Sequence, residues 1–456
     1  MIMNKCTPIA DFVKNYVQTQ GTRFHMPGHK GKSFLGCEQY DITEISGADS
    51  LYEADGIIAQ SEQSATELFG TERTVFSTEG SSQCIRGMLY LAVMNLKRTY
   101  TASRKPLIIA ARNVHKAFLY AAALLDLEVK WIWPEGGMDS LCSCTVSAEM
   151  LENILGDLLP QDKERLAAVY VTSPDYLGGM LDIKGLSEVC HRNGTILAVD
   201  NAHGAYLHFL ETPLHPMDLG ADICCDSAHK TLPVLTGGAY LHIGKNAPAN
   251  FAKNAKEAMA LFGSTSPSYL TLISLDLCND YLTNTYRKQL SDMVTQLKRL
   301  KESLQDAGWQ MVGAEPLKIT IRVPNGMTGQ HLAETLRKNQ IECEYADPQY
   351  LVLMITPENK KEELDFLIEV LGENHLPYRK QNKMGLEKCV QKMSIREAIF
   401  ADHEMIPVKD AVGRICGTPT VSCPPAIPIV VSGEMIEENT LRIFEYYGIS
   451  TVDVVR

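Results

Sequence analysis

Short apolar runs closed by polar residues recur through the middle of the chain: TVFST (74–78), PLIIAA (106–111), LAAVYVT (166–172), GTILAVD (194–200) and ADICCD (221–226). Each has the length and unbroken hydrophobicity of a strand covered on both faces. Between them lie stretches with helical periodicity, SSQCIRGMLYLAVMNLKR (81–98) and IKGLSEVCHRNG (183–194), the second closing on Gly194 as a C-terminal cap. This alternation predicts an α/β architecture, a mainly parallel sheet with crossover helices. Ligands of such sheets bind beyond the carboxyl ends of the strands, so the polar residues that close several runs converge on one cleft.

The pattern changes near residue 285. A long helical stretch, YRKQLSDMVTQLKRLKESLQDAG, leads to LKITIRVP, then to YLVLMIT and the helical KKEELDFLIEVLG, which together read as a smaller α+β unit. From about residue 390 come SIREAIFADH and the proline-rich CPPAIPIVVSGE. The expected division is an N-terminal arm and entrance loop (1–40), a large domain (41–285), a small α+β domain (286–380) and a C-terminal segment (381–456).

Composition narrows the function classes. The chain has 456 residues, 45% of them hydrophobic and 21% charged, which suits a folded chain of two or three domains. A net charge of -12 lacks the basic surface that a general nucleic-acid binder needs, so no nucleic-acid partner is expected. No apolar run reaches the roughly 18 to 20 residues of a membrane span, and MIMNKCTPIADFVKNY does not resemble a signal peptide, so a cytoplasmic location is expected. Thirteen cysteines without scaffold spacing read as reduced thiols. CSC at 142–144 and the pair Cys224 and Cys225 lack the spacing of a zinc site, so no metal is expected.

Three segments carry candidate chemistry. In STEGSSQC (77–84) a strand turns through Gly80 into Ser81, Ser82 and a helix; free N–H groups, the helix dipole and two hydroxyls there make a phosphate cradle, though serine is also an ordinary cap. In VDNAHGAYLHF (199–209) Asp200 closes a buried strand, where a carboxylate is costly without a cation; it reads either as a turn cap or as the partner of a protonated pyridine nitrogen. In DICCDSAHKTLPVLTGGAYLH (222–242) Lys230 follows a strand end beside His229. Alone it reads as a surface lysine. Together with an acid thirty residues before it and a Gly-Ser-Ser turn upstream, it completes the set that holds pyridoxal 5'-phosphate: amine, pyridinium partner and phosphate cradle.

The chain resembles the Orn/Lys/Arg decarboxylase family, fold-type I pyridoxal phosphate enzymes acting on basic amino acids, in the short form without an N-terminal wing domain. The likeness runs through HMPGHKG (25–31), TEISGADSLYEADGII (43–58), EGSSQC (79–84), RNVHKAF (112–118), TSPDYLG (172–178), the three segments above, STSPSYLTLISLD (264–276) and PPAIPIVVSGE (424–434). It implies a large domain of the aspartate aminotransferase type with smaller C-terminal α+β parts. Decarboxylation of lysine, arginine or ornithine to the amine and carbon dioxide, as in polyamine biosynthesis, is the implied activity. By the same resemblance Lys230 is the Schiff-base lysine and His229 contacts the cofactor region or the departing carboxylate. His115 stacks on the pyridine ring, Asp200 pairs with its nitrogen, and Ala202 and His203 lie close to the ring. Gly80, Ser81, Ser82 and Ser227 hold the phosphate, and Thr265 reaches it from another subunit, which implies a homodimer or larger homo-oligomer with active sites at the interface.

HMPGHK places two histidines four apart, but Pro27 and Gly28 between them break a helix, so His25 and His29 do not share a zinc-binding helical face. The family pattern makes this an entrance loop. The chain departs from that pattern where Cys423 and Ala426 replace a tyrosine and a glycine, where Asp226 precedes SAHK, and where LYEADG replaces a histidine-proline segment. A transaminase or lyase of the same fold shares lysine, aspartate and cradle, and a non-catalytic binding protein can keep the fold; release of carbon dioxide separates the decarboxylase from both.

Overall fold

The computed structural model describes residues 7–96, 104–134, 137–378, 386–419 and 425–456. Cys423 lies outside them. Two compact units are present, one made of Met1–Asn95 and Ile196–Ser291, the other of Leu96–Thr195 and Asp292–Arg456. Among the described residues no helix is long and apolar enough to cross a membrane.

Seven strands carry the fold that the apolar runs predict: β1 (Arg73–Ser77), β2 (Leu107–Ala111), β3 (Glu128–Ile132), β4 (Leu166–Thr172), β5 (Leu197–Asp200), β6 (Ile223–Asp226) and β7 (Ala239–Ile243). Five of these are the runs read from the sequence. β3 and β7 were not among them. β3 hides its strand character under alternating charge, EVKWI, because one face is exposed. β7 follows a Gly-Gly pair, in a segment notable in the sequence for its loop and not for a strand.

In the first unit β5 and β6 run parallel, while β7 runs antiparallel to both β6 and β1. The register sets Asp200 beside Cys225, Cys224 beside His242 and Asp226 beside Tyr240. Because alternate residues of a strand face opposite sides, Asp200 and Asp226 close neighbouring strands on opposite faces. The helix Ser81–Met94 leaves the end of β1 through Gly80 and buries Cys84, Ile85, Met88, Leu89 and Leu91. The segment ahead of the helix Ile57–Phe69 is folded by one carboxylate: Asp49 accepts from the N–H groups of Asp55, Gly56 and Ile58, which caps the helix start.

In the second unit β2 pairs in parallel with β3 on one side and β4 on the other. A separate antiparallel sheet has the order β10–β11–β9–β8, formed by β8 (Gln310–Val312), β9 (Lys318–Arg322), β10 (Tyr345–Ala346) and β11 (Tyr350–Met354). A hairpin-like pair, β12 (His403–Pro407) and β13 (Thr451–Val455), lies near the C-terminus. The helix Ile183–Arg192 ends as the sequence predicts, with Gly194 at φ 68 and its N–H on the His191 carbonyl. A buried cluster including Cys142, Tyr345, Val352, Ile429, Val430, Ile436 and Phe444 joins the C-terminal segment to this unit.

Candidate active site

The glycine turn after β1 leads into a helix start whose first N–H groups have no side-chain cap. Gly80 adopts φ 73, a backbone that glycine takes without strain, and no side chain caps the helix that begins at Ser81. The turn is fixed from behind by its own amide, which donates to the Gly237 carbonyl at 2.7 Å. A Cβ on Gly237 would stand 2.7 Å from the Thr78 carbonyl oxygen, so a glycine is needed there for close approach. Ser227 Oγ donates to Ser81 Oγ at 2.8 Å, which brings two of the three predicted phosphate hydroxyls together; Ser82 follows half-buried in the same first turn. The helix start therefore offers N–H groups, dipole and hydroxyls to one point.

Lys230 sits in a four-residue helix, Ala228–Thr231, that opens where β6 ends. Its Nζ lies 3.0 Å from His203 Nε2, and both belong to the first unit. His229 points the other way along the turn. Its Nδ1 is 2.9 Å from the Gly238 carbonyl, an acceptor only, so that nitrogen carries the proton. The ring packs against the cradle, since a Cβ on Gly80 would be 4.0 Å from His229 Cε1.

Asp200, 2% exposed, ends β5. Its Oδ1 accepts from the Ala202 amide at 3.2 Å and from the Cys225 thiol at 3.7 Å. Ala202 and His203 are buried directly after it. Thr265 lies exposed in a loop fastened within the same chain to Glu79, which accepts from the Ser264 amide next to the cradle. His115 belongs to the second unit, where it caps the helix Lys116–Leu124 through Nδ1, which accepts from the Ala117 amide at 3.1 Å. Of the residues singled out in the sequence, the first unit thus holds Gly80, Ser81, Ser82, Asp200, Ala202, His203, Ser227, His229, Lys230 and Thr265. In the entrance loop His25 and His29 lie outside any helix; His25 Nε2 meets the Tyr16 hydroxyl at 2.7 Å and His29 meets Asp41 at 3.1 Å.

A polar network that the sequence did not point to lies behind these strand ends. Asp226, fully buried, accepts from the Asn201 amide at 2.6 Å through Oδ1, and from His215 and His242 at 2.9 and 3.1 Å through Oδ2. Burial pushes its carboxyl up, but the two imidazoles and their N–H groups more than reverse this and hold it well below the usual carboxylate range. Burial pushes the His242 imidazole down. The set is a buried carboxylate met by three donors. Ligand atoms of His215, Cys224 and Asp226 lie within 4.8 Å of one another, but the His215 tautomer is fixed by the Met217 amide on Nδ1, so its Nε2 presents a proton and not a lone pair. His215, in the unremarkable TPLHPMDLG, has no sequence signal at all.

Comparison with known proteins adds what geometry alone does not. The family model described as Orn/Lys/Arg decarboxylase, major domain, matches residues 7–322, and that described as the C-terminal domain matches residues 378–451. An arginine decarboxylase of Halalkalibacterium halodurans is 30% identical, with 95% of this chain and 92% of that protein covered. An arginine decarboxylase of Bacillus subtilis is also 30% identical, with 96% and 93% covered. The crystal structure of the Francisella novicida lysine decarboxylase superposes with a TM-score of 0.79 at 16% identity, covering 99% of this chain and 82% of that one, which shows a shared fold.

Proposed function

The chain belongs to the Orn/Lys/Arg decarboxylase family, and from that membership we infer that it removes the α-carboxylate of lysine, arginine or ornithine as carbon dioxide, with pyridoxal 5'-phosphate held by Lys230. Its fold is the fold-type I fold of pyridoxal phosphate enzymes, with smaller C-terminal α+β parts. The observation that carries the reading is the meeting in one unit of a lysine amine, a buried strand-end carboxylate and a serine-lined helix start.

The residues present fit the cofactor. Gly80, Ser81, Ser82 and Ser227 offer the phosphate its cradle, where an uncapped helix start has N–H groups to give. Asp200, at 2% exposure, is costly as an anion unless a cation meets it, and a protonated pyridine nitrogen is such a cation. Bound there, the cofactor supplies a ring that takes up the electron pair left when the bond from Cα to the carboxylate breaks. Everything else falls to the chain. Lys230 Nζ would hold the cofactor by its aldehyde carbon, and His203 Nε2, 3.0 Å away, is placed to share the proton of that amine. His229, tied by Nδ1 to the Gly238 carbonyl, presents its other edge beside the Gly80 turn, next to the cofactor region. Thr265, exposed on its loop, is assigned to the phosphate of a neighbouring subunit in a homo-oligomer.

The test is direct. Incubation of the cofactor-loaded protein with each basic amino acid should release carbon dioxide and the matching amine, and Lys230→Ala should lose both turnover and the visible absorbance that borohydride bleaches. Amino-group transfer without carbon dioxide would replace the reading with another reaction of the same fold. Full turnover by Lys230→Ala would end it.

A further inference from the structure

We propose that Asp226 is the positioning residue of this site: its buried carboxylate, gripping Asn201, His215 and His242, sets the spacing between the strand ends that carry Asp200 and Lys230. The proposal rests on the roles given above to those two residues.

The geometry makes one carboxylate the junction of four strands. Asp226 is itself the last residue of β6, so Ser227 and the Lys230 turn follow directly from it. Through Oδ1 it holds the side-chain amide of Asn201, the residue between Asp200 and Ala202, whose backbone N–H donates to the Cys225 carbonyl at 3.0 Å. Through Oδ2 it holds His242 on β7, and His242 Nδ1 meets Thr74 Oγ1 on β1 at 2.8 Å. Thr74 lies three residues before Ser77, whose hydroxyl donates to the Gly80 carbonyl at 3.2 Å. The strand end of Asp200 is thus one hydrogen bond from Asp226, the Lys230 turn follows it in the chain, and the cradle is reached both by this path and through Ser227, which donates to Ser81.

The donors can be ordered without conflict. With its proton on Nε2, His242 donates to Asp226 and accepts from the Thr74 hydroxyl, which in turn can accept from Thr71, 2.8 Å away. His215 accepts the Met217 amide and donates to Asp226. Burial of all these groups means that no water can replace a lost donor, so the strand ends must move if the junction changes. The family-level departure at this position, an acid ahead of SAHK, therefore has a partner in Asn201: the acid accepts and the amide donates.

The experiment measures the dissociation constant for pyridoxal phosphate by visible titration, the apoprotein melting temperature, and kcat and KM for the basic amino acid that the wild type turns over best. Asp226→Asn removes the charge and leaves one oxygen for the three donors that Asp226 holds, and should weaken cofactor binding by about 10- to 100-fold. Asn201→Ala removes one donor only, and should weaken it by about threefold to tenfold with the melting temperature of the apoprotein held close to wild type. The exchange N201D/D226N restores acceptor facing donor and leaves an amide oxygen for both imidazoles; it should recover binding to within about threefold and kcat with it. Wild-type cofactor affinity in Asn201→Ala, or an exchange variant no better than Asp226→Asn, would overturn the proposal. A wild-type chain that binds no pyridoxal phosphate would instead overturn the reading beneath it.

Discussion

Arg112 offers a prediction in which the double substitution should be milder than the single one. Its guanidinium is 1% exposed, lies 5.4 and 5.3 Å from the ring centroids of Trp131 and Trp133, and donates to the carbonyls of Pro428 at 3.1 Å and Ile429 at 2.9 Å. Glu434, 2% exposed, stands 3.4 Å away and accepts from the Val431 amide at 2.8 Å. Burial pushes the Glu434 carboxyl up and Arg112 pulls it back. Arg112→Met keeps the bulk and removes the donors. Two buried carbonyls then go unmatched, at about 1 kcal/mol each or more. Glu434, without its cation, takes up a proton, which at pH 7 costs up to about 3 kcal/mol for a carboxyl with an ordinary unfolded-state value. The total is about 5 kcal/mol. In R112M/E434Q no buried carboxyl remains to be neutralised, so only about 2 kcal/mol should be lost. Urea denaturation followed by tryptophan emission reads this locally, because two of the three tryptophans flank Arg112. Glu434 already lies above the ordinary carboxylate range with Arg112 present, so the R112M penalty should also shrink by up to about 1.4 kcal/mol for each pH unit lowered from 7 toward 5. A double variant as damaged as the single, or a penalty independent of pH, would refute the argument.

Two further outcomes are expected. Ala426, where the family pattern has glycine, sits at φ 56, with its carbonyl accepting from the Lys116 amide at 2.9 Å; Ala426→Gly relieves the left-handed strain and should raise stability in urea by about 0.5–1 kcal/mol, less whatever glycine adds to the unfolded chain. Asp276, fully buried, accepts from the Ala10 amide at 2.9 Å and the Ser61 hydroxyl at 2.6 Å, and burial pushes its carboxyl up to about 6. Its folded value lies above the unfolded one, so its contribution is fully present below about pH 4 and is lost as pH rises through about 6, on the order of 2–3 kcal/mol. Asp276→Asn should flatten that part of the curve of stability against pH in thermal or urea melts.

How much of this was legible in the chain follows from what each residue needs. Strands buried on both faces announce themselves by unbroken apolar runs, which is why β2, β4, β5 and β6 were readable. A half-exposed edge such as β3 alternates charge with bulk and reads as anything. The turn after β1 was readable because its parts are local: a glycine at φ 73 and serines at a helix start must be neighbours in sequence. The Asp226 junction was not, because Asn201, His215, Asp226, His242 and Thr74 come together only through strand order, and a buried histidine leaves no periodic trace. Arg112 was quoted within RNVHKAF for its neighbours, while its own partners are more than 300 residues away in sequence.

The two carboxylates that end β5 and β6 show why register decides function here. Both follow apolar strands, both are almost wholly buried, and in the sequence they look alike. Pairing of Asp200 with Cys225 puts it on one face of the sheet, and that same pairing forces Asp226 onto the other. On its face Asp226 finds an amide and two imidazoles from the protein itself, so its charge is matched by the fold and is held below the ordinary range. Asp200 faces the side where the Ala202 amide and the Cys225 thiol meet its Oδ1, next in the chain to the histidine that touches Lys230. A slip of one residue in β5 would turn Asp200 toward the face of the Asp226 junction.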